Sequence, residues 1–179
     1  MAEHKQIRVC GFGGQGVILA GVILGHAAIF DGKWVAGSSS YGAQARGGYA
    51  RSDLIISDRP IVFPHVLDAD ILITMAQTAY ERYRAELAPH ALLLFDKRLV
   101  SPRRSVGIKQ VGVAATTHAI KKLHQKQAAT IIMLGAAVVL SNVVCKEALR
   151  SAIKGNVEER YVDMNLNAAE LGFFLGEQR

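Results

Sequence analysis

The sequence predicts an α/β protein with a three-layer α/β/α architecture, a Rossmann-like, mainly parallel sheet and a helical C-terminal third. Short β-branched segments alternate with helix-length segments, a glycine-rich turn joins the first strand to the first helix, and the last third contains helix-length segments alone. The chain has 179 residues, half of them hydrophobic, which suffices for one buried core. We therefore expect residues 1–179 to form a single domain.

The sequence predicts a strand, a helix and a second strand at the start of the chain. Residues 7–10 are short and β-branched, which predicts a buried strand. Residues 15–30 predict a helix that is apolar around most of its circumference. Such a helix packs on the sheet with one face and against a second surface with another. Residues 33–37 predict a second strand that ends in the serine run 38–40.

Three further strands are predicted in the middle of the chain. Residues 49–56 predict a strand that is antiparallel, because no helix-length segment precedes it. An apolar strand at 70–75 leads into a helix from about Gln77 to Leu87, and another buried strand covers 91–95.

The remainder of the chain is mostly helical. Residues 105–115 predict a last strand, and Thr116 and Thr117 are suitable caps for a helix through Lys122. Three more helices are predicted at 127–144, 146–153 and 158–175.

Charge and cysteine content limit the possible partners. The chain contains 21 Lys and Arg against 15 Asp and Glu, a net charge of +6, which favours anionic ligands. Its basic clusters lack the interleaved aromatic residues of a stacking platform, so we predict a solvated rim and no nucleic-acid partner. Cys10 and Cys145 are far apart, and neither cysteines nor histidines have metal-ligand spacing, so we assign no metal.

Location is predicted from the apolar runs. The sequence has no signal-peptide-like apolar region near its start and no apolar run long enough to cross a bilayer. We therefore predict a reducing, cytoplasmic location and no membrane partner.

The glycine-rich turn after the first strand is the main candidate for a ligand site. Gly11, Gly13 and Gly16 fit the G-x-G-x-x-G pattern between a strand and a helix start. Glycines let a ligand approach the main chain, and the N–H groups at the helix start attract an anion. The alternative is that these glycines only allow close helix-to-strand packing; the adjacent Gly14 and the polar Gln15 favour ligand contact.

The pattern around this turn argues against two nucleotide-binding classes. An NAD site expects an acidic residue after the second strand, where this chain has a serine run. The Gly-Lys-Ser/Thr ending of a phosphate-binding P-loop is also missing. Because Arg46 could contact a ribose phosphate, a stand-alone Rossmann-like nucleotide-binding module or an NADP-dependent reductase stays as an alternative.

Several motifs, in order and spacing, resemble one family. Residues 11–16, 40–48 and 57–61 are similar to the gamma subunit of 2-oxoacid:ferredoxin oxidoreductases and to the gamma domain of pyruvate:ferredoxin oxidoreductase. The likeness continues through 70–77 and 128–135 to 165–172 and so covers nearly the whole chain. The chain departs from the family pattern at Ala43–Gln44, where Pro-Glu is usual, and at Thr130, where Asn is usual.

The resemblance implies a multi-subunit enzyme that is inactive without its partners. Such enzymes oxidatively decarboxylate a 2-oxoacid, such as pyruvate, 2-oxoglutarate or a branched-chain 2-oxoacid, to an acyl-CoA and send the electrons to ferredoxin. Thiamine diphosphate, magnesium and iron–sulfur clusters are implied to belong mainly to the alpha, beta and ferredoxin-like delta subunits. The gamma-type chain is implied to help cover the thiamine site and to bind coenzyme A.

The candidate cofactor-binding residues are polar or glycine positions near predicted strand ends, and we assign no catalytic residue. We predict phosphate or pantetheine contact through the glycine turn and the Gln15 amide. Arg46 offers forked donors to an anion or pairs with Asp53 or Asp58, and Gln77 faces the same crevice or only starts a helix. The serines and Tyr41 line the crevice beyond the second strand or form an ordinary turn. The full set is Gly11, Gly13, Gly14, Gln15, Gly16, Ser39, Ser40, Tyr41, Arg46, Gly47, Gly48 and Gln77.

Overall fold

The structure, a computed structural model, describes residues 4–42, 48–104 and 107–179. Their strands form one six-stranded sheet in the order β2-β3-β1-β4-β5-β6. The strands are β1 His4–Phe12, β2 Trp34–Tyr41, β3 Tyr49–Ser57, β4 Ala69–Thr74, β5 Leu87–Asp96 and β6 Lys109–Val113. The helices are α1 Val17–Phe30, α2 Gln77–Tyr83, α3 Ala115–Leu123, α4 Ala129–Ser141, α5 Lys146–Asn156 and α6 Glu159–Glu177, with a 3-10 turn at Lys126–Ala128 before α4.

The sheet is mixed but mostly unidirectional. β1, β4, β5 and β6 pair in parallel, whereas β3 is antiparallel to both of its neighbours, β1 and β2. The predicted α/β class and the antiparallel direction of the third strand are confirmed. Because β1, β2 and β4 run in the same direction, their C-terminal ends share one edge of the sheet, the edge at which ligands bind in open α/β sheets.

Helices cover the two faces of the sheet unequally. Alternate residues of β1 point to opposite faces, so Ile7 and Val9 join the larger core with α1, α3 and α4, while Cys10 joins a smaller core under α2. α5 packs on α1, and α6 packs on α4, which adds an outer helical layer to the first face. In the described ranges no helix is both long and apolar enough to cross a lipid bilayer.

The predicted ends of β2 and α2 are wrong because strand pairing sets them. The serine run was expected to follow the second strand, but Ser38, Ser39 and Ser40 lie inside β2 because they pair with Asp53, Ser52 and Arg51 of β3. The predicted helix from Gln77 to Leu87 ends at Tyr83, since Leu87 already belongs to β5.

The start of α3 also differs from its prediction. The helix begins at Ala115, and no side-chain cap comes from the two threonines. Instead, the buried Asp96 at the end of β5 accepts a hydrogen bond from the Thr116 N–H at 2.6 Å. A carboxylate from a distant strand thus replaces the local cap that the sequence pattern indicated.

Candidate functional site: the glycine turn and two cavities

The glycine turn, residues 13–16, joins β1 to α1 at the C-terminal edge of the sheet. Gly14 and Gly16 have φ angles of 89° and 79°, a region that glycine enters without steric penalty. Gly16 is the N-cap of α1 and offers no side chain to the helix. Among the described residues, the Gly14 and Gly16 N–H groups have no acceptor. These N–H groups and the helix dipole make the turn suitable for an anion.

Gln15 holds the turn against the sheet. Its Oε1 accepts a hydrogen bond from the Phe12 N–H at 2.7 Å, and its Nε2 donates to the Met75 carbonyl at 2.9 Å. The Thr130 hydroxyl donates to the Gln15 carbonyl from α4. The Gln15 amide therefore positions the turn, and a ligand contact through the same amide would compete with these two bonds.

Gly48, the last residue of the 40–48 motif, meets the glycine turn just before β3 begins. The Gly13 N–H donates to the Gly48 carbonyl at 2.8 Å, and the Phe12 and Tyr49 rings lie 5.9 Å apart. The structure thus places Gly48, one of the predicted site residues, next to the glycine turn. Arg46 and Gly47, with the neighbouring Gln44, lie outside the described residues, so their predicted roles stay predictions.

The remaining predicted residues of β2 do not form one site. Ser39 lies opposite Ser52, on the face that α1 covers, whereas Ser40 lies opposite Arg51 on the other face. Successive side chains of a strand point to opposite faces, so the two serines cannot both line one crevice. Tyr41 ends the strand and is exposed.

Gln77 has a structural role at the start of α2. Its Oε1 accepts a hydrogen bond from the Ser101 N–H at 2.7 Å, and its Nε2 donates to Glu81 at 3.2 Å. It lines neither cavity beside the glycine turn. This geometry favours the alternative in which Gln77 only starts the helix and fixes the segment after β5.

Two cavities flank the glycine turn and share Gly14, Gln127 and Thr130 as lining residues. The larger, about 460 Å³, lies between the starts of α1, α4 and α6. The smaller, about 210 Å³, is lined by Gln15, Met75 and the basic Lys126. Sequence reasoning missed Gln127, although its place at the start of a predicted helix, where free N–H groups gather, was a usable signal.

Beneath the turn, β1 carries a buried charge and a buried thiol. Arg8 is buried and donates to Asp53 at 2.8 Å and to Glu86, while Arg51 lies 3.2 Å from Asp53. Burial opposes the charge of Arg8, but the bonds and charges of Asp53 and Glu86 outweigh it and raise its pKa above the ordinary value. Burial also raises the pKa of the Cys10 thiol to about 12. Cys10 is therefore a neutral packing residue rather than a nucleophile.

Known proteins similar to this chain share both its sequence pattern and its fold. The family described as pyruvate ferredoxin/flavodoxin oxidoreductase matches residues 6–175. The 2-oxoglutarate synthase subunit KorC of Methanocaldococcus jannaschii is 40% identical over 178 residues, which cover 98% of this chain and 95% of that protein.

Two solved structures are also similar. The gamma subunit of a keto/oxoacid ferredoxin oxidoreductase from Geobacter sulfurreducens superposes with a TM-score of 0.86 at 37% identity, covering 98% of this chain and 99% of that one. The 2-oxoglutarate:ferredoxin oxidoreductase from Magnetococcus marinus, solved with 2-oxoglutarate, coenzyme A and succinyl-CoA bound, shares the fold with a TM-score of 0.87 at 22% identity. This chain matches 32% of that longer chain through 99% of its own length.

The sequence resemblance is thereby confirmed over nearly the whole chain. The matched residues 6–175 include the glycine turn, both cavities and every helix start that surrounds them. The chain belongs to the pyruvate ferredoxin/flavodoxin oxidoreductase family, as a gamma-type subunit of a 2-oxoacid:ferredoxin oxidoreductase.

Proposed function

We propose that this subunit serves an enzyme that oxidises 2-oxoglutarate, with release of carbon dioxide, capture of the succinyl group by coenzyme A and transfer of electrons to ferredoxin. The observation that supports this substrate is the 40% identity, over 98% of the chain, to a subunit of a 2-oxoglutarate synthase. In this reaction the chain contributes binding and shielding, and the redox chemistry belongs to cofactors.

The glycine turn is the part of this chain that binds coenzyme A. The Gly14 and Gly16 N–H groups and the positive end of α1 suit a pyrophosphate, and the smaller cavity beside them adds the ammonium group of Lys126. The net charge of +6 also favours such an anion. A protein of the same fold has been solved with coenzyme A bound, which supports this ligand class.

Other subunits complete the enzyme. The family resemblance assigns thiamine diphosphate, magnesium and the iron–sulfur clusters to the alpha, beta and ferredoxin-like delta subunits. For the clusters the cysteine content agrees, since this chain has only two cysteines, one in β1 and one at the start of α5. Both cysteines are free thiols, which accords with a reducing cytoplasm. An exposed apolar stripe on α1, here called the outer stripe, supports contact with one of these subunits. It consists of Leu19, Val22, Ile29 and Phe30, and the exposed His26 lies among them on the same face.

The proposal is tested on the assembled complex carrying Gly14→Val. We expect the wild-type complex to show its highest kcat/KM with 2-oxoglutarate among 2-oxoacids. The added side chain blocks the approach of a phosphate to the turn, so the KM for coenzyme A rises about tenfold to a hundredfold, the equivalent of one lost charge-assisted hydrogen bond. The KM for 2-oxoglutarate stays unchanged.

Gly32→Val is the matched control. Gly32 also has a positive φ of 71° and open space around its Cβ position, but it lies at the far end of α1. Both substitutions strain a turn, but only Gly14→Val changes the proposed coenzyme A site. Equal coenzyme A kinetics in the two variants would refute the glycine-turn assignment, and a preference for pyruvate would refute the substrate.

A further inference from the structure

A third cavity lies at the edge of the sheet opposite the glycine turn. Its volume is about 420 Å³, and it lies between the start of β1, the end of β3 and residues 58–68, here called the β3–β4 connection. Ile55, Pro60 and Ile61 supply part of its apolar lining. It shares no lining residue with the two cavities beside the glycine turn, so it is a separate feature of the chain.

Large apolar side chains around this cavity are exposed to solvent. Val62 is 96% exposed, Phe63 and Leu67 are more than half exposed, and all three line the cavity. Trp34 of β2, also more than half exposed, pairs in register with Ser57 of β3, which lines the cavity. Paired residues of neighbouring strands point to the same face, so Trp34 belongs to the same surface. An apolar surface of this kind marks a contact with another protein.

The polar side chains at the base of the cavity are hydrogen-bond donors whose acceptor atoms are already engaged. Gln6 Oε1 accepts a hydrogen bond from the Leu67 N–H at 2.7 Å, which leaves Gln6 Nε2 without an acceptor among the described residues. Ser57 Oγ accepts from the Arg59 N–H at 3.1 Å, and its hydroxyl hydrogen likewise has no acceptor in the described ranges. A ligand that accepts hydrogen bonds therefore suits this cavity.

The charge of the cavity has one sign. Arg59, His4 and His65 line it, and no Asp or Glu is among the described residues that do so. Asp58 and Asp68, at the two ends of the β3–β4 connection, are exposed and point elsewhere than into the lining. Within the described part of the chain, no carboxylate forms an ion pair with Arg59. A carboxylate satisfies this set, because it only accepts and a guanidinium binds it with two parallel hydrogen bonds.

We propose that this surface binds a segment of another subunit in which a carboxylate stands next to an apolar side chain, an inference that rests on the proposed function for the existence of that subunit. The carboxylate accepts hydrogen bonds from Arg59, Gln6 and Ser57, and the apolar side chain packs on the exposed apolar residues.

The extent and the charge of the surface favour a segment of a different protein. Trp34 and the almost fully exposed Val62 extend the apolar surface beyond what a small carboxylic acid in the cavity would cover. A second copy of this chain carries the same net charge of +6, which opposes self-association through a basic surface. The outer stripe of α1 lies on the other face of the sheet, so the chain contacts other subunits on both faces.

The first test places a photoreactive side chain on the surface of the complex, assembled by co-expression of all subunits. Phe63→p-benzoylphenylalanine keeps an aromatic ring at this position and forms a covalent bond on illumination with a group in contact. We expect mass spectrometry to find one cross-linked peptide, from another subunit, with a carboxylate beside an apolar residue. Phe174→p-benzoylphenylalanine is the matched control, because Phe174 of α6 is similarly exposed but lies outside this surface, and it does not cross-link to that peptide.

The second test changes the charge. Arg59→Glu turns the attraction for a carboxylate into repulsion, and we expect the dissociation constant between this chain and the cross-linked subunit, measured by dilution of the complex, to rise tenfold or more, as for a lost hydrogen bond to a charged group. Lys154→Glu makes the same charge change at an exposed position of α5 and leaves the constant unchanged. Arg59→Leu weakens binding and makes it less sensitive to salt than in the wild type. Equal unfolding of these variants in urea shows that their folds are intact.

Failure of this inference differs from failure of the proposed function. If Arg59→Glu assembles as the wild type does, or if Phe63 cross-links to a second copy of this chain or to no protein, the inference is overturned while the wild-type complex still oxidises 2-oxoglutarate. A cross-linked peptide without a carboxylate overturns it as well. If the wild-type chain does not co-purify with other subunits, the proposed function and this inference are both overturned.

Discussion

Cys10 lies three residues before Gly13, the first residue of the glycine turn, and its environment decides its chemistry. The side chain is fully buried in β1, and its Sγ lies 3.6 Å from the Ile73 carbonyl. Burial in apolar surroundings disfavours the thiolate. A cysteine that remains a thiol across the physiological range resists alkylation and oxidation, which keeps modified sulfur away from the adjacent ligand site.

This environment predicts a dependence of stability on alkaline pH. The pKa of the thiol is raised from 9.0 to about 12, so its contribution is fully present below about pH 9 and is lost as the pH rises toward 12. We expect the free energy of unfolding of the wild-type chain, measured by urea denaturation, to fall more steeply in this window than that of Cys10→Ala. The difference approaches about 1.4 kcal/mol per pH unit. Parallel pH curves would contradict the assignment.

Gln15 illustrates what the sequence could not predict at the level of one residue. Its position in a glycine turn favoured ligand contact, whereas its partner in the structure is the carbonyl of Met75, 60 residues away. The turn itself and its place after β1 were predictable from spacing. The hydrogen bond from the Gln15 amide to the Met75 carbonyl depends on the pairing of β1 with β4, and no local sequence pattern specifies that pairing.

At the level of elements, α4 and α6 approach closely enough to exclude side chains from their contact. A Cβ atom on Gly172 would lie 2.3 Å from the Ile132 carbonyl oxygen, and one on Gly135 would lie 2.5 Å from that of Ala169. This contact sets the distance between the two helices that line the larger cavity. It therefore fixes where Asn165 lies relative to Thr130.

The contact predicts opposite effects for two glycine-to-alanine changes. Gly172→Ala forces backbone against backbone, and we expect it to lower the free energy of unfolding by about 1–3 kcal/mol. Gly155→Ala in α5 meets no atom within 4 Å and instead gains helix propensity of up to about 1 kcal/mol. Urea denaturation measures both changes. A stabilising Gly172→Ala would show that the helices can separate without loss.

The end of β2 was predicted wrongly because, like the contact between α4 and α6, it is set by tertiary packing and not by local sequence. Ser38, Ser39 and Ser40 are not among the β-branched and aromatic residues that favour strands, yet pairing with β3 places them in β2. Most strands and helices were predictable from periodicity, since their apolar positions are local signals. The cavity at Asn165 was not, because it arises only when α6 packs on α4.

For the whole molecule, the outer stripe of α1 is the clearest sign that this chain works within a complex. The sequence predicted a helix that packs on the sheet and against a second surface. In the structure, α5 covers one side of α1, and the outer stripe stays exposed. Since Leu19 also lines the larger cavity, a subunit covering the stripe would close the cavity from outside.

We expect Val22→Glu to prevent assembly with the other subunits while it leaves the fold of the chain intact. Val22 is exposed, so its replacement changes the free energy of unfolding by no more than about 0.5 kcal/mol. A charge in the centre of an apolar interface, however, is costly to desolvate. Co-purification from a co-expression of all subunits measures the effect.

Ile120→Glu is the control, because Ile120 is an exposed apolar residue of α3 next to Lys121 and Lys122. Equal recovery of both variants in the complex would contradict the role of the stripe.

The position of β3 determines the order in which the site can be assembled during folding. β1, α1 and β2 are consecutive, yet β1 and β2 do not pair with each other, because β3 lies between them. A nascent chain therefore exposes the strand–turn–helix unit before the strand that completes it has been synthesised. Only when residues 49–57 insert does Gly48 reach the Gly13 N–H. We expect the ability to bind an anion to appear late in folding, with the closure of this long-range pairing. Ligand binding would then report a completed sheet rather than a correctly formed helix.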